Sequence, residues 1–425
     1  MNATSPKSLR TQLLPWALAL YAASTLVSMA TMSIGLGILL ASLLFSGRLM
    51  QWARELQVQL GQRVPKVFSL LALGLTLACI LSLGVAALWP LSYAGHSPEV
   101  SFFRDSLKLW YLFWPLGLSA LLRLLSEANR RRALQAWLLA FLALSVLGII
   151  QHFTGWPRAQ KIPGHEPYFH AILFLGHHLS VSSIFIFPFF ACLDFASSRR
   201  RARELGLPQG LLIAACGLGL VTLFLTWSRT LWLSLPLGLL VWIFMSLKRR
   251  RACWVAGGLL LAVAGASQLP VIQLRLNDGI GSAPRFALWR ANLAFLEKRP
   301  FTGVGWHHTE EMSGYYLQQL TGQKDVFAGH AHNNLLDLLG GAGVLGAFFW
   351  LAYCLFPWVV LFRVHQHPVS LNFARGLFCA WLVFQMNGLT QVNFWEGKVE
   401  HQLAWALGWA VFWAGDMRGK NHGKS

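Results

Sequence analysis

Charge is scarce in this sequence, and acidic charge most of all. Only 12% of the 425 residues are charged, and 16 acidic residues stand against 35 basic ones. Hydrophobic residues make up 55% of the chain, which includes 20 tryptophans. A soluble protein needs more polar surface than this composition supplies. The sequence therefore excludes a soluble globular domain and predicts an all-α polytopic membrane protein.

The sequence also lacks the marks of several chemistries. Its six cysteines lie in or beside apolar runs, so neither a disulfide framework nor a zinc-binding cysteine motif is indicated. A G-x-S-x-G segment, which forms the nucleophile turn of many serine hydrolases, is absent. Acidic residues are few within the apolar runs, whereas secondary transporters usually carry charges near the middle of the membrane. A transporter or flippase is therefore the weaker alternative.

Apolar runs long enough to cross a bilayer recur along the chain. A spanning helix needs about 20 apolar residues, and on this criterion the sequence predicts about twelve spans. They centre on residues 13–28, 30–47, 67–90, 106–125, 134–152, 172–195, 209–226, 229–247, 252–268, 334–362, 373–391 and 400–415.

Basic residues cluster on alternate connections between these runs. With the N-terminus in the cytoplasm, 23 of the 35 lysines and arginines fall on the cytoplasmic side. The positive-inside rule then places both termini in the cytoplasm and one long polar loop, residues 269–333, outside it. This loop separates a first membrane unit, residues 1–268, from a second, residues 334–425. The basic excess thus indicates membrane topology and no nucleic-acid partner.

The long polar loop ends in Gly329-His-Ala-His-Asn-Asn-Leu-Leu-Asp337. Asn333 or Asn334 is predicted to cap the helix that follows, and the spacing of Asp337 from Asn334 resembles a capping box. His332 would then lie at a helix N-terminus, where the positive end of the helix dipole lowers the histidine pKa. A neutral imidazole suits a general base, so His332 is the candidate base. A structural, hydrogen-bonded histidine is the alternative.

Two arginines on the same side are candidates for binding an anion. Arg285 follows Ser282 and Pro284, residues typical of a helix start, so its guanidinium and the backbone donors there could hold a phosphate. Arg229 is the only charge in a tight turn between two spans, Thr226-Trp-Ser-Arg-Thr230. The alternative for each is an arginine that reaches to solvent or to lipid headgroups.

The long loop holds further candidates. Gly303-Val-Gly305 would allow either a close backbone approach or a plain turn. His330 is either an orienting partner of His332 or a loop residue. The loop contains four histidines in a spacing that matches no metal-ligand pattern, so neither a metal nor another cofactor is indicated: His307, His308, His330 and His332.

A second polar segment on the same side precedes the sixth predicted span. Residues 153–171 include Arg158 and Lys161, and His177 follows shortly after them. These side chains could line a cavity shared with the long loop. Hydrogen bonds between helices explain His177 about as well.

Five segments, in this order, resemble those of the O-antigen ligase and polymerase superfamily. They are Thr226-Trp-Ser-Arg229, Pro284-Arg-Phe-Ala-Leu-Trp289, Gly303-Val-Gly305, His332-Asn-Asn-Leu-Leu-Asp337 and Gly343-Val-Leu-Gly346. The segments cover roughly residues 210–350. Elsewhere the resemblance rests on the number of spans and on the long outer loop.

The resemblance implies a GT-C-like membrane fold and a metal-independent glycosyltransferase of the bacterial inner membrane. Such enzymes move a sugar chain, with inversion, from undecaprenyl diphosphate to an acceptor at the periplasmic face. Arg229 and Arg285 would bind the diphosphate, and His332 would activate the acceptor hydroxyl. The substrate-binding residues expected around these three are His330, Arg158, Lys161, His177, Gly303, Gly305 and Asn333.

The acceptor distinguishes the branches of this superfamily. In the ligase branch it is the lipid A core oligosaccharide, and the single long loop without a soluble C-terminal extension favours that branch. An O-antigen polymerase and a protein O-oligosaccharyltransferase are the alternatives with the same chemistry. The expected partners are therefore the lipid-linked glycan, the lipid A core and membrane lipids.

Overall fold

The structure is a computed structural model that describes residues 6–270, 272–273, 283–323, 328–367 and 369–419. These residues are mainly helical, and the extended pairings among them are two isolated bridges. The helices are α1 (Pro6–Ser24), α2 (Met29–Phe45), α3 (Leu49–Leu60), α4 (Arg63–Leu88), α5 (Phe102–Leu107), α6 (Trp114–Leu124), α7 (Glu127–Thr154), α8 (His178–Ala196), α9 (Arg199–Leu205), α10 (Gln209–Leu225), α11 (Arg229–Ser246), α12 (Arg249–Ser267), α13 (Ala283–Lys298), α14 (Thr309–Thr321), α15 (Asn334–Val364), α16 (Ala374–Asn387) and α17 (Gly397–Gly419).

Helices occupy every predicted membrane segment. Among the described helices, five have the length and apolar composition to cross a membrane, namely α4, α7, α8, α11 and α15. The number rises to as many as seven if two bent helix pairs each count as one span. Helix α16, with 14 residues, is shorter than a full crossing requires. The chain is thus an all-α, multi-pass membrane protein, and the total of about twelve spans stays a prediction.

The predicted span at residues 106–125 is not one continuous helix. Helix α5 ends at Leu107, a short 3-10 helix covers Trp110–Leu112, and α6 begins at Trp114 with Pro115 in its first turn. Proline has no N–H to donate and is favoured in the first turn of a helix, where that N–H would have no partner. Pro115 therefore fixes a helix start inside the predicted span.

Helices α8 and α17 form the centre of the bundle. Nearly all of α8 is buried, and α17 buries Trp405, Trp409 and Trp413. Helix α17 packs against α6 and α8, while α16 packs between α8 and α11. A helix that is apolar on every side belongs in the interior of a large helical protein. These helices hold the ends of α11 and α15 together at one end of the bundle.

Several basic residues lie at the other end of the bundle. Asp194, close to the end of α8, accepts hydrogen bonds from Arg375 at the start of α16 and lies 2.9 Å from Arg201. The first residue of α8, in contrast, is at the end where the polar loop docks. The basic residues around Asp194 and the polar loop are therefore at opposite ends of α8, and the orientation of the termini stays a prediction.

Helix α15 is broken near its middle by the polar loop. Gly343 has φ 66° and ψ −167°, which is not helical. The released groups pair with the loop: Val304 donates to the Gly340 carbonyl at 2.8 Å, and Val344 donates to the Pro300 carbonyl at 2.8 Å. The Ser82 hydroxyl donates to the Gly341 carbonyl at 2.7 Å. A helix break inside a membrane protein is stable only when other groups satisfy the freed backbone in this way.

Gly343→Ala is expected to lower stability by at least about 2 kcal/mol, because an L side chain is strained at this φ. An added Cβ would also lie 2.3 Å from the Phe301 carbonyl carbon. The measurement is thermal unfolding in detergent, with Gly258→Ala on α12 as the control, because that position has open space around it. Equal unfolding midpoints for the two variants would contradict this role of Gly343.

Candidate active site

His332 lies two residues before the start of helix α15, in a strained backbone conformation. Its φ is 49°, a left-handed value that is uncommon for a residue other than glycine and often marks a functional constraint. Its backbone N–H donates to Nδ1 of His330 at 3.3 Å, and the two rings meet edge to face at 4.4 Å. The Nδ1 atom of His332 is buried without a hydrogen-bond partner among the described residues. Nε2 is therefore the nitrogen left for chemistry.

Asn333 caps α15, which confirms one of the two caps that the sequence predicted, Asn333 or Asn334. Its Oδ1 accepts from the Leu336 N–H at 3.0 Å, and its Nδ2 donates to the Leu389 carbonyl at 3.0 Å. The side chain thus ties the start of α15 to the turn that follows α16. In the structure Asn333 is a positioning residue for His332, and its predicted contact with a substrate stays untested.

The predicted capping box between Asn334 and Asp337 is wrong. The cap is one residue earlier, so the third helical residue is Leu336, and the carboxylate of Asp337 is out of register with it. Asp337 instead accepts from the Thr309 hydroxyl at 2.7 Å and from the Ala331 N–H at 3.4 Å. It therefore fixes the polar loop against α15.

The His332 ring is uncharged at neutral pH. Burial, followed by electrostatic interaction with His330, Arg285 and His177, lowers the pKa of His332 to about 4. The direction agrees with the prediction from the helix dipole, but the largest cause is burial. A neutral ring with one available nitrogen can accept a proton near pH 7.

Arg285 lies close enough to His332 for its charge to act on the imidazole. One helical turn later on the same face of α13, the indole N–H of Trp289 donates to the Ala331 carbonyl at 2.8 Å. Ala331 is bonded to His332, which explains why the charge of Arg285 acts on the imidazole. Arg285 is half-buried, and Pro284 is in the first turn as predicted. The predicted cap, Ser282, is outside the described residues.

Arg229 is the first residue of α11, at the same end of the bundle. The neighbouring Thr230 hydroxyl is hydrogen-bonded to Thr390, in the turn after α16. The same turn accepts the hydrogen bond from Asn333 at Leu389. The turn of Leu389 and Thr390 therefore contacts both Thr230, which follows Arg229, and Asn333, which follows His332. It brings two distant parts of the chain together.

A polar cavity of about 450 Å³ is lined by His330, whose ring contacts that of His332. Two of the predicted residues, His177 and His330, line it. His177 is the residue before α8, and its position in the cavity wall comes from the start of that helix. The remaining wall includes Gln391, Trp395 and Glu396 from the segment between α16 and α17.

Arg158 and Lys161 are the two weaker candidates. Arg158 lies at the edge of this cavity and Lys161 lies away from it. The Arg158 guanidinium packs on Gly176, where an added Cβ would be 2.7 Å from one of its nitrogens, so it is next to His177. Lys161 forms an ion pair with Glu166 at 3.0 Å, and both side chains are about two-thirds exposed. The structure gives Lys161 a surface role, and such exposed pairs contribute little energy.

The structure gives Gly303 and Gly305 a packing role, and their predicted substrate-binding role stays untested. The Gly303 N–H donates to the Arg299 carbonyl at 2.9 Å, and the Gly305 N–H donates to Gly341 at 3.0 Å. Both glycines are buried against the broken part of α15. Their backbone donors are thus occupied by helix packing, which matches the alternative of a structural turn.

Sequence reasoning missed the segment between α16 and α17. Its residues Gln391, Trp395, Glu396 and Lys398 line the cavity, although they come at least 59 residues after His332. Burial raises the pKa of Glu396, while the Ser180 hydroxyl donates a hydrogen bond to its carboxylate. The sequence did contain a signal for this segment, namely a cluster of amide side chains and one glutamate beside an apolar run. Burying such polar groups near a membrane costs free energy, so they often mark a functional site.

The histidines of the polar loop are not arranged around a metal. Nδ1 of His308 contacts Glu311 at 3.0 Å and its Nε2 lies 3.4 Å from Asp105. Within the ranges that the structure describes, no three His, Cys, Asp or Glu side chains converge as a metal site. The expectation of a metal-independent site stays a prediction.

The central part of the chain matches a known family. Residues 214–351 match the family model described as O-antigen ligase. The match confirms the resemblance to the O-antigen ligase and polymerase superfamily. The matched range includes Arg229, Arg285 and His332. No curated protein matches the chain.

Arg285→Gln is expected to raise the pKa of His332 toward the ordinary histidine range, because it removes a positive charge that disfavours the imidazolium. The measurement is an NMR titration of the histidine rings in the solubilised protein. Arg290→Gln, on the exposed part of the same helix, is the matched control. If both variants titrate like the wild type, the Arg285 charge does not reach the ring.

Proposed function

We propose that this protein is an O-antigen ligase, a glycosyltransferase that moves O-antigen polysaccharide from undecaprenyl diphosphate to the lipid A core oligosaccharide. The proposal includes a GT-C-like fold in the bacterial inner membrane, with both termini cytoplasmic and the site periplasmic. The observation that carries it is a half-buried, neutral His332 within electrostatic reach of Arg285, in the segment that matches the family. This pairing supplies a base and a cation in one place.

The proposed reaction is a single displacement. The oxygen of the acceptor hydroxyl attacks the anomeric carbon of the donor sugar, and the bond from that carbon to the diphosphate oxygen breaks. Nε2 of His332 accepts the hydroxyl proton, and the electron pair of the broken bond leaves with undecaprenyl diphosphate. One displacement inverts the anomeric configuration. No nucleotide or metal enters this balance.

The two arginines suit the leaving group. Negative charge grows on the diphosphate as it departs, and fixed guanidinium groups stabilise such charge most strongly where water is excluded. Arg285 is half-buried, and this burial lowers its pKa. A guanidinium also binds phosphate oxygens in pairs, which an ammonium cannot do.

An apolar groove beside Arg229 suits the lipid part of the donor. It has a volume of about 440 Å³ and lies between α10, α11 and α12. Its wall is apolar and includes Leu220, Phe224, Trp232, Pro236, Leu259 and Val263. Because Trp232 follows Arg229 by three residues, a polyprenyl chain in the groove would hold its diphosphate near that arginine.

His332→Ala is expected to reduce transfer by about 10²- to 10⁴-fold, the usual contribution of a general base. The assay reconstitutes the purified protein with undecaprenyl-diphosphate-linked glycan and lipid A core, and it follows glycan joined to the core. His367→Ala, an exposed histidine outside the polar loop, is the control. Retained transfer in the His332 variant would remove the base assignment.

The same assay separates the alternatives. Chain elongation in place of transfer to the core would indicate a polymerase, and transfer to a protein would indicate an O-oligosaccharyltransferase. Movement of the lipid-linked glycan across the bilayer without transfer would indicate a flippase.

Arg285→Lys is expected to lower transfer at least about tenfold, because an ammonium replaces the paired hydrogen bonds of a guanidinium with a point charge. Arg290→Lys on the same helix controls for general effects of the substitution. The measurement compares kcat and KM for the donor in the reconstituted assay. Wild-type values for Arg285→Lys would rule out diphosphate binding through this side chain.

A further inference from the structure

The polar cavity beside His332 contains groups that the proposed leaving-group chemistry does not use. The segment between α16 and α17 contributes Gln391, Trp395, Glu396 and Lys398 to its wall. Its volume of about 450 Å³ falls within the range of small-ligand sites in proteins. A pocket of this size and polarity, next to a candidate base, fits a polar substrate group.

Two polar atoms in the wall lack a partner. Gln391 and Trp395 are only 4% and 6% exposed, yet Oε1 of Gln391 and Nε1 of Trp395 make no hydrogen bond within the described parts of the chain. Most buried polar groups in proteins are hydrogen-bonded, so such exceptions call for an explanation. Neither atom is open to the cavity as the side chains stand, so this acceptor and this donor become available to a ligand only when the side chains turn toward it.

The charge of the cavity argues against a phosphate ligand. Glu310, Asp337 and Glu396 all contribute to its wall. The ammonium of Lys398 lies 3.9 Å from the Glu396 carboxylate, so it is already close to an opposite charge. Carboxylates repel a diphosphate but accept hydrogen bonds from sugar hydroxyls. The donor diphosphate therefore belongs with the two arginines, and a neutral sugar belongs in the cavity.

The cavity also has the right position relative to the base. His330 lines it, and the His330 ring is 4.4 Å from that of His332. Arg285 reaches His332 from α13, whose contact with the polar loop is made by Trp289 at Ala331. A hydroxyl held in the cavity would thus approach His332 from the region of His330.

We propose that this cavity is the acceptor subsite and binds the terminal sugar of the acceptor oligosaccharide, with Glu396 accepting hydrogen bonds from its hydroxyls. The proposal rests on the proposed transferase function. Ser180 donates to Glu396 and orients the carboxylate, and Trp395 and Gln391 form the adjoining wall. Glu396 would then help to select the acceptor.

The test is Glu396→Gln in the reconstituted transfer assay, with KM measured separately for donor and acceptor. The variant keeps the size of the side chain and removes its charge. We expect the acceptor KM to rise about tenfold, the loss from one hydrogen bond to a charged group, while the donor KM stays unchanged. Glu297→Gln, an exposed glutamate on α13, is the matched control. An unchanged acceptor KM in folded Glu396→Gln overturns the subsite.

A binding measurement keeps this test independent of transfer. Core oligosaccharide freed of its lipid is titrated into each protein, and the change in tryptophan fluorescence is followed. Weaker binding by Glu396→Gln than by Glu297→Gln supports the subsite, whether or not the wild type transfers glycan. Absence of transfer by the wild type would refute only the proposed function. Equal binding by the two variants, or none by the wild type, overturns the subsite.

Discussion

The reciprocal hydrogen bonds between Asn334 and Asn393 hold the candidate site in one place. The Asn334 amide donates to Oδ1 of Asn393 at 2.7 Å, and its oxygen accepts from the Asn393 N–H at 3.0 Å. Both side chains are buried, where an unpaired amide would be costly. The start of α15, and with it His332, is thereby fixed to the segment between α16 and α17. That segment also reaches α11 through Thr390 and the cavity through Glu396.

The basic and acidic side chains of the candidate site come from different segments. Arg285 comes from α13 and Arg229 from α11, whereas the carboxylates of Asp337 and Glu396 line the cavity. In the proposed transfer, an anionic donor and a hydroxyl acceptor need different surroundings, so that each substrate is favoured in one place only. The proposed base must also stay neutral, and burial lowers the pKa of His332.

Local patterns in the sequence predicted much of this arrangement and failed where packing decides. The apolar runs all became helices, and Pro284 correctly indicated the start of α13. The capping box predicted between Asn334 and Asp337 is wrong, because Asn333 is the cap and the Asp337 carboxylate bonds to Thr309, a partner 28 residues away. Gly303 was a candidate for a binding loop. The sequence around it could not predict that it packs against the break in α15, which lies far away in the chain.

The sequence by itself determined the helical membrane class, the polar loop and the chemical candidates, because hydropathy, helix caps and basic clusters act over a few neighbouring residues. Only the tertiary structure decided that Arg285 acts on His332, that burial keeps this histidine neutral, and that Glu396 shares its surroundings. The physical reason is that burial and hydrogen bonds between distant segments set both the pKa and the neighbours of a side chain. Neither can be predicted from the residues next to it in the sequence.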